Sequence, residues 1–144
     1  MTKDEVKREH RESEGDPEVK AARRRAHQEA LAGSMIAAVK NATVLVVNPT
    51  HLATALRYDE NEDEAPTVIA HGEGDLARRL IEAAHAYNVP VVRDVPVAHA
   101  LRELTLGEQI PEALYEAVAE VLRELLNQEN ETESTGRREG GKDF

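Results

Sequence analysis

Residues 43–58 read "TVLVVNPTHLATALRY", two apolar runs separated by Asn48, Pro49, Thr50 and His51. The first run is continuous and β-branched, which is typical of a strand buried on both faces. The second run alternates apolar and polar residues, which predicts a strand with one solvent-exposed face. A two-residue hairpin turn would favour Asn-Gly or Asp-Gly, because its central residues need a positive φ that proline cannot adopt. The break between the two strands therefore needs an explanation beyond a plain turn.

The composition indicates one acidic domain with an aliphatic core. A chain of 144 residues suits a single domain, because two domains would each bury too small a core. Lys and Arg total 18 against 28 Asp and Glu, and the resulting charge of -10 argues against general binding to nucleic acid or to anionic membranes. Aromatic residues make up only 3% of the chain, so the core must consist of Val, Ile, Leu and Ala.

Several classes of protein are disfavoured by what the sequence does not contain. There is no cysteine, so no disulfide, thiol nucleophile or Cys-ligated zinc is expected. No apolar run reaches the roughly 20 residues of a membrane span. The opening "MTKDEVKREH" lacks the apolar middle of a secretion signal. We therefore expect this stretch of chain to be soluble on its own.

The segment before residue 43 is predicted to be helical. Residues 3–12 are helix-prone but have almost no apolar face, which is typical of a solvated or partner-dependent helix. After an interruption at residues 15–17, a second helix over residues 17–40 begins with Pro17, where a missing N–H costs nothing. Its three arginines at 23–25 are most simply a solvated face, with contact to lipid headgroups or to an acidic partner as the alternative.

The segment after residue 58 alternates between strands and helices. Two further strands are predicted at residues 65–72 and 89–94, and helices at residues 75–88, 96–104 and 111–128. Residues 129–144, "ENETESTGRREGGKDF", are polar and rich in glycine, which predicts a disordered tail. Strands that alternate with helices after an opening hairpin predict an α/β fold, with a small mixed four-stranded sheet packed by helices.

Two further segments resemble binding sites only superficially. Residues 59–64, "DENEDE", imitate the start of a calcium loop, but Glu64 stands where that loop requires glycine and Ala70 where it requires a bidentate glutamate. The segment "HGEGD" at residues 71–75 could present backbone N–H groups to a phosphate, although its own carboxylates would repel the anion and a tight strand-to-helix turn explains it better. His85 and His99 show no metal-ligand spacing. We therefore expect neither a metal nor a cofactor.

Asn48 and Pro49 together favour a reaction of the chain on itself. The side-chain amide nitrogen of Asn48 can attack its own main-chain carbonyl carbon, closing a succinimide ring and expelling the nitrogen of Pro49. Because proline has no N–H, the competing attack of the next backbone nitrogen on the Asn48 side chain is blocked. Proline also restricts the preceding residue to extended conformations, which narrows the search for an attack geometry.

The next two residues could assist this scission. Histidine ordinarily changes charge near neutral pH, so the imidazole of His51 could take the amide proton or give one to the departing proline nitrogen. Thr50 could hydrogen-bond the turn or the developing oxyanion. The simpler interpretation, in which Asn48 and Pro49 only end one strand and begin a turn, stays open on spacing alone.

The segment "VVNPTHLATAL" at residues 46–56 resembles the self-cleaving motif of the FlhB/YscU family, the switch proteins of type III secretion and flagellar export. Residues 5–25, "EVKREHRESEGDPEVKAARRR", are similar to the linker that follows the family's membrane helices. Residues 107–122, "GEQIPEALYEAVAEVL", are similar to its C-terminal helix. The similarity extends over about residues 3–127.

This resemblance implies a single intramolecular cleavage between Asn48 and Pro49, without turnover of an external substrate. Asn48 would cyclise, Pro49 would become a new N-terminus, and Thr50 and His51 would assist. The change in the loop would switch export from early to late substrates, with other export-apparatus subunits, a ruler protein, export substrates or their chaperones and the chain's own cleaved fragment as partners. The protein would lie at the cytoplasmic face of the bacterial inner membrane, anchored through an absent N-terminal part.

The resemblance also implies a division of the chain into three parts. Residues 1–27 would be the linker helix, residues 28–128 the self-cleaving cytoplasmic α/β domain, and residues 129–144 the disordered tail. His71 is a departure, because relatives often carry lysine in the equivalent segment, and it puts any charge-dependent contact there in doubt. The acidic loop at 59–64 is similar to flagellar members, whereas "ARRRAHQE" at 22–29 is similar to injectisome members.

Two functions of other classes remain as alternatives. One is a small α/β ligand- or nucleotide-binding domain that uses "HGEGD" at a strand end, although it lacks a phosphate-binding lysine in a Walker pattern. The other is an interaction module whose Asn48–Pro49 bond stays intact. A denaturing gel that shows one chain or two distinguishes the self-cleaving protein from both.

Overall fold

The computed structural model describes residues 16–49 and 51–142, with side chains as far as residue 128. In chain order the elements are helix α1 (Pro17–Ala38), a 3-10 turn (Val39–Asn41), strands β1 (Val44–Asn48), β2 (Leu52–Arg57) and β3 (Thr67–Glu73), helix α2 (Asp75–Ala86), strand β4 (Val91–Arg93), helix α3 (Val95–Leu101), a second 3-10 turn (Glu112–Leu114) and helix α4 (Tyr115–Lys142). The helix predicted at residues 3–12 lies outside the described residues. The chain divides into two compact units after Ser34.

Helix α1 starts with Pro17 in its first position, as the sequence predicted. Asp16 precedes it, and its carboxylate accepts a hydrogen bond of 2.9 Å from the N–H of Glu18. A side chain of this kind satisfies one of the N–H groups that the first turn of a helix leaves unpaired. The three arginines at 23–25 are exposed.

The four strands form one mixed sheet in the order β3-β2-β1-β4. Strand β1 runs antiparallel to β2, with Val44 opposite Leu56 and Asn48 opposite Leu52. It runs parallel to β4, with Leu45 opposite Val91. Strand β1 is therefore paired along both of its edges, and the prediction of a small mixed four-stranded sheet is confirmed.

Both faces of the sheet are covered. Helices α3 and α4 pack on the face that carries Val44, Val46 and Leu56. Helix α2 and the first 3-10 turn pack on the face that carries Leu45 and Val47. The side chains of residues 44–47 consequently keep at most 3% of their surface exposed, as expected for a continuous apolar strand between two layers.

Strand β2 departs from the sequence prediction of one solvent-exposed face. Residues 52–56 are all buried, including the polar Thr54, which is 3% exposed. The reason is the position of β2 between β1 and β3, with packed layers on both sides. Residue size also alternates along β2. The small Ala53 and Ala55 lie on the face covered by α2, and the larger Leu52 and Leu56 lie on the opposite face.

The outer edge of β3 is covered by the segment that leads to helix α4. The N–H of Val68 donates to the carbonyl of Glu108 at 2.9 Å, and the N–H of Gly107 donates to the carbonyl of Val68 at 2.8 Å. Gly107 has a φ of +86°, which residues with side chains rarely adopt. This pairing satisfies backbone groups that an edge strand would otherwise leave open.

The C-terminal helix is longer than the sequence predicts, which placed its end at residue 128. Helix α4 continues past residue 128 as far as Lys142. Residues 129–135 contain neither glycine nor proline, so the helix can extend into them. Adding a residue to an existing helix is far easier than nucleating a new one, which is why a polar segment without a core of its own is helical here.

Candidate functional site

The four residues singled out in the sequence lie at one end of the sheet, between its two central strands. Asn48 is the last residue of β1 and is half-buried, whereas Pro49 and His51 are exposed in the connection to β2. Thr50 lies outside the described residues. Because Asn48 is paired with Leu52, the strands remain in register up to the connection. The structure therefore places the Asn48–Pro49 bond in a short exposed turn held at both ends by a buried sheet.

A backbone hydrogen bond closes this turn. The N–H of His51 donates to the carbonyl oxygen of Asn48 at 3.0 Å. This is the first-to-fourth residue bond of a β-turn, with Pro49 in the second position, where its fixed φ is favourable. The carbonyl that accepts the bond is the one between Asn48 and Pro49. An N–H donor on its oxygen polarises that carbonyl and makes its carbon more susceptible to attack.

A second hydrogen bond fastens the far side of the turn. The carbonyl of His51 accepts from the N–H of Gly74 at 3.1 Å. Gly74 immediately precedes helix α2, with φ +57° and ψ -123°. Both the N–H and the C=O of His51 are therefore engaged, one with the strand that ends at Asn48 and the other with the start of a helix.

The carboxamide of Asn48 has no hydrogen-bond partner among the residues that the structure describes. Side chains alternate along a strand, so the Asn48 side chain lies on the same face as Val46. Within residues 16–49 and 51–142 it makes no hydrogen bond to a neighbour. A carboxamide that none of these residues holds can turn towards its own main-chain carbonyl, which is the movement that ring closure requires.

Charged groups of both signs flank the turn. The N–H of Asp94 donates to the carbonyl of Val47 at 3.2 Å, and the Asp94 carboxylate caps helix α3 by accepting from the N–H of Val97 at 3.1 Å. On the other side, Glu73 pairs with Arg102 at 2.8 Å, with both side chains more than half exposed. These contacts fix the strand ends next to the turn, while the exposed ion pair itself contributes little stability.

The first turn of helix α2 adds an ion pair close to the site. Asp75 pairs with Arg78 at 2.5 Å, and Arg78 also lies 3.6 Å from Glu82. The hydrogen bond and the positive charge of Arg78 lower the pKa of Asp75 below its usual value, and Asp75 raises the pKa of Arg78. Both groups are exposed, so they stay ionised near neutral pH without acting on the turn directly.

The other sequence candidates are explained by local contacts. In the acidic loop, the Asp59 carboxylate accepts from the N–H of Asn61 at 2.9 Å, and the Asp63 carboxylate accepts from the N–H of Asp59 at 2.9 Å. In the described part of the chain, no group of three or more acidic or histidine side chains is arranged to hold a metal ion. His85 and His99 are exposed on helices α2 and α3, and His71 is half-buried opposite Thr54.

Packing and backbone hydrogen bonding explain why "HGEGD" contains two glycines. A Cβ on Gly72 would lie 2.5 Å from Cγ of Leu76, so helix α2 can pack against β3 only because that atom is absent. Gly74 bonds His51, as described above. Neither contact needs a phosphate. The sequence did not predict the hydrogen bond from Gly74 to His51. The position of Gly74 just before a helix indicated only a tight turn.

A cleft of about 200 Å³ lies at the other end of the sheet, away from the Asn48–Pro49 bond. Tyr58 and Pro66, which adjoin the end of β2 and the start of β3, form one side of it, and Tyr115, Val118 and Leu122 of helix α4 form the other. Because Val44 at the start of β1 pairs with Leu56, this cleft and the turn are separated by the length of the central strands.

Comparison with known proteins connects this arrangement to protein export. Residues 1–125 match the profile of the family described as the FlhB HrpN YscU SpaS Family. The flagellar biosynthetic protein FlhB of Aquifex aeolicus is 41% identical over 127 residues, which cover 88% of this chain and 36% of that protein. The hypersensitivity response secretion protein HrcU of Ralstonia nicotianae is 46% identical over 123 residues, covering 85% and 34%. The chain thus spans about a third of the length of these relatives.

Solved structures share the fold. The crystal structure of the cytoplasmic domain of FlhB from Shewanella putrefaciens superimposes with a TM-score of 0.61 at 44% identity, covering 64% of this chain and 71% of that one. A mutated EscU C-terminal domain gives a TM-score of 0.60 at 37% identity, covering 63% and 92%. Among the described residues, no helix combines the length and the apolar character needed to cross a membrane.

Proposed function

The chain belongs to the FlhB HrpN YscU SpaS family, and from that premise we propose that it is the cytoplasmic, self-cleaving part of a type III secretion or flagellar export protein. Its proposed reaction is one cut between Asn48 and Pro49. The observation that carries this proposal is the exposed turn between two buried central strands, in which the carbonyl to be attacked already accepts an N–H bond from His51.

The carbon–nitrogen bonds that form and break in the proposed step belong only to Asn48 and Pro49. The side-chain Nδ2 of Asn48 forms a bond to its own carbonyl carbon, and the carbonyl oxygen takes up the negative charge of the tetrahedral intermediate. The C–N bond to Pro49 then breaks, and the electron pair stays on the proline nitrogen. Nδ2 loses one proton and the proline nitrogen gains one, so the products are a C-terminal succinimide and a free N-terminal proline without consumption of water.

Each neighbour has a separate part in this proposal. The N–H of His51, 3.0 Å from the carbonyl oxygen, stabilises the charge that develops there. The His51 imidazole is exposed and moves the proton from Nδ2 to the proline nitrogen. Thr50 is proposed to support the turn through its hydroxyl. The reaction destroys its own site, so the protein does not turn over an external substrate.

The test is the mass of the purified wild-type chain under denaturing conditions. We expect two species, residues 1–48 and residues 49–144. When freshly formed, the first should be lighter by one water than a fragment that ends in a free Asn48 carboxyl, because ring closure precedes hydrolysis. An intact chain after prolonged incubation at neutral pH would contradict the proposal and leave a non-cleaving interaction module.

The proposed consequence is a change in export specificity. Scission frees Pro49 and His51 from the end of β1 and leaves two new termini beside Glu73, Arg102 and Asp94, so the charge and shape of this exposed end change. We propose that other export-apparatus subunits, a ruler protein and export substrates or their chaperones detect this change. The protein would act at the cytoplasmic face of the bacterial inner membrane. A segment equivalent to the part of its relatives outside the match would hold it there.

We further predict that the two fragments stay together after the cut. Residues 44–47 remain buried between two layers, and each fully buried large apolar side chain contributes about 1.5–3 kcal/mol. Removal of β1 would also leave the edges of β2 and β4 that face it without hydrogen-bond partners. Size-exclusion chromatography without denaturant should give one peak that contains both fragments, whereas the same sample in strong denaturant should give two. Separate elution under native conditions would show that fragment release, rather than remodelling of the turn, is the signal.

A further inference from the structure

Gly74, the residue before helix α2, has an unusual backbone conformation that starting a helix does not require. A helix start is usually occupied by Ser, Thr, Asp or Asn, whose side chain caps the first turn. Gly74 provides no such cap and has φ +57° and ψ -123°, a region that residues with side chains rarely adopt. A Cβ at this position would find no atom within 4 Å, so space is not the reason for glycine. What requires glycine is the backbone conformation itself.

This conformation directs the N–H of Gly74 to the turn. The N–H donates to the His51 carbonyl at 3.1 Å, and the N–H of His51 donates to the Asn48 carbonyl at 3.0 Å. The two bonds hold His51 on both sides of its Cα. The Gly74 bond connects the His51 end of the turn to the junction between β3 and α2. This junction lies after Pro49 in the chain, so the proposed cut leaves it intact.

We propose that Gly74 is a positioning residue for the scission. It holds the His51 carbonyl, and thereby keeps the His51 N–H aimed at the Asn48 oxygen while that oxygen gains negative charge. The inference rests on the proposed function and deepens it, since it names the residue that orients the oxyanion donor. Without this bond the turn loses one of its restraints, and the donor is aligned for a smaller part of the time.

Gly107 offers a matched control for the backbone effect. It also has a positive φ, +86°, and a Cβ on it would also find no atom within 4 Å. Its N–H donates to the Val68 carbonyl at the β3 edge, not to the turn. Alanine at either position therefore places a side chain on a residue with positive φ, but only alanine at 74 displaces the bond to His51.

The experiment compares Gly74→Ala with Gly107→Ala in the full chain. Each is synthesised in a short pulse, and the intact band is followed on denaturing gels while circular dichroism confirms that the chain is folded. Removal of a direct oxyanion donor slows reactions by about 10²–10³-fold, so we expect misalignment in Gly74→Ala to slow scission by on the order of tenfold or more. Gly107→Ala should remain within about twofold of the wild-type rate. Equal rates for the two variants would overturn the proposal, whereas failure of the wild type to cleave would refute the proposed function instead.

A second chain tests the hydrogen bond itself and decides the matter if Gly74→Ala does not fold. Semisynthesis replaces the amide between Glu73 and Gly74 by an ester, which deletes the Gly74 N–H and retains glycine's conformational freedom. The folded ester chain should cleave on the order of tenfold more slowly than an all-amide chain made in the same way. An ester chain that is folded and cleaves at the all-amide rate would show that Gly74 serves only to start helix α2.

Discussion

Asn48→Ala is expected to abolish scission and to leave a folded, intact chain. Alanine has no side-chain nitrogen, so no succinimide can form and the Asn48–Pro49 link persists as an ordinary peptide bond between alanine and proline. Folding should be little affected, because Asn48 is half-buried at the end of β1 and its carboxamide makes no hydrogen bond within the described residues. Substitutions at such positions usually change stability by less than about 1 kcal/mol.

The measurement is intact mass together with thermal unfolding. The matched control is Asn61→Ala, which removes an exposed carboxamide from the acidic loop at the other end of the sheet and should cleave like the wild type. The Asn48→Ala protein should remain one chain under conditions that convert the control completely. A break between residues 48 and 49 in Asn48→Ala would rule out ring closure, and a hydrolytic mechanism would then have to replace it.

His51→Ala is expected to slow scission by about 10²–10⁴-fold without abolishing it. The substitution removes the imidazole that carries the proton from Nδ2 to the proline nitrogen. It retains the backbone N–H of residue 51, which donates to the Asn48 carbonyl, and the backbone carbonyl that accepts from Gly74. The nucleophile and the oxyanion donor therefore stay in place, and the reaction continues with water as the proton carrier.

The rate should be followed from a synchronised start, either a synthesis pulse or refolding of freshly made chain. His85→Ala is the appropriate control, since His85 is also exposed but lies near the end of helix α2. Added imidazole should recover part of the lost rate in His51→Ala and leave the control unchanged. A rate for His51→Ala within twofold of the wild type would show that the imidazole plays no part, and only the backbone of His51 would then remain in the mechanism.

The fold was predictable from the sequence where a residue pattern is compatible with only one structure. The unbroken apolar run of residues 44–47 requires a strand covered on both faces, and the structure confirms this. Strand β2 was less predictable, because Thr54 interrupts its apolar residues and imitates a solvated face, although packed layers cover both sides. The extension of α4 to Lys142 depends on helix propagation, which composition alone does not reveal.

The residues proposed to react can be recognised in the sequence, whereas the residues that hold the turn cannot. Asn48 and Pro49 attract attention because their chemistry is local and needs no partner from elsewhere in the chain. Gly74 and Asp94 are distant in sequence and meet the turn only through the strand order β3-β2-β1-β4. Their contacts with His51 and Val47 use backbone N–H groups, which every residue except proline possesses, so residue type gives no sign of them.

The interior position of β1 means that the proposed cut would also change how the domain refolds. In the intact chain, β1 and β2 meet by closing one short turn, an encounter between neighbours along the sequence. After the cut, β1 and the remaining strands belong to separate molecules, so refolding becomes bimolecular and the midpoint of unfolding depends on protein concentration. A cleaved domain that opens in dilute solution loses its central strand by diffusion. The proposed scission would thus preserve the folded architecture but remove the capacity of the chain to rebuild it alone.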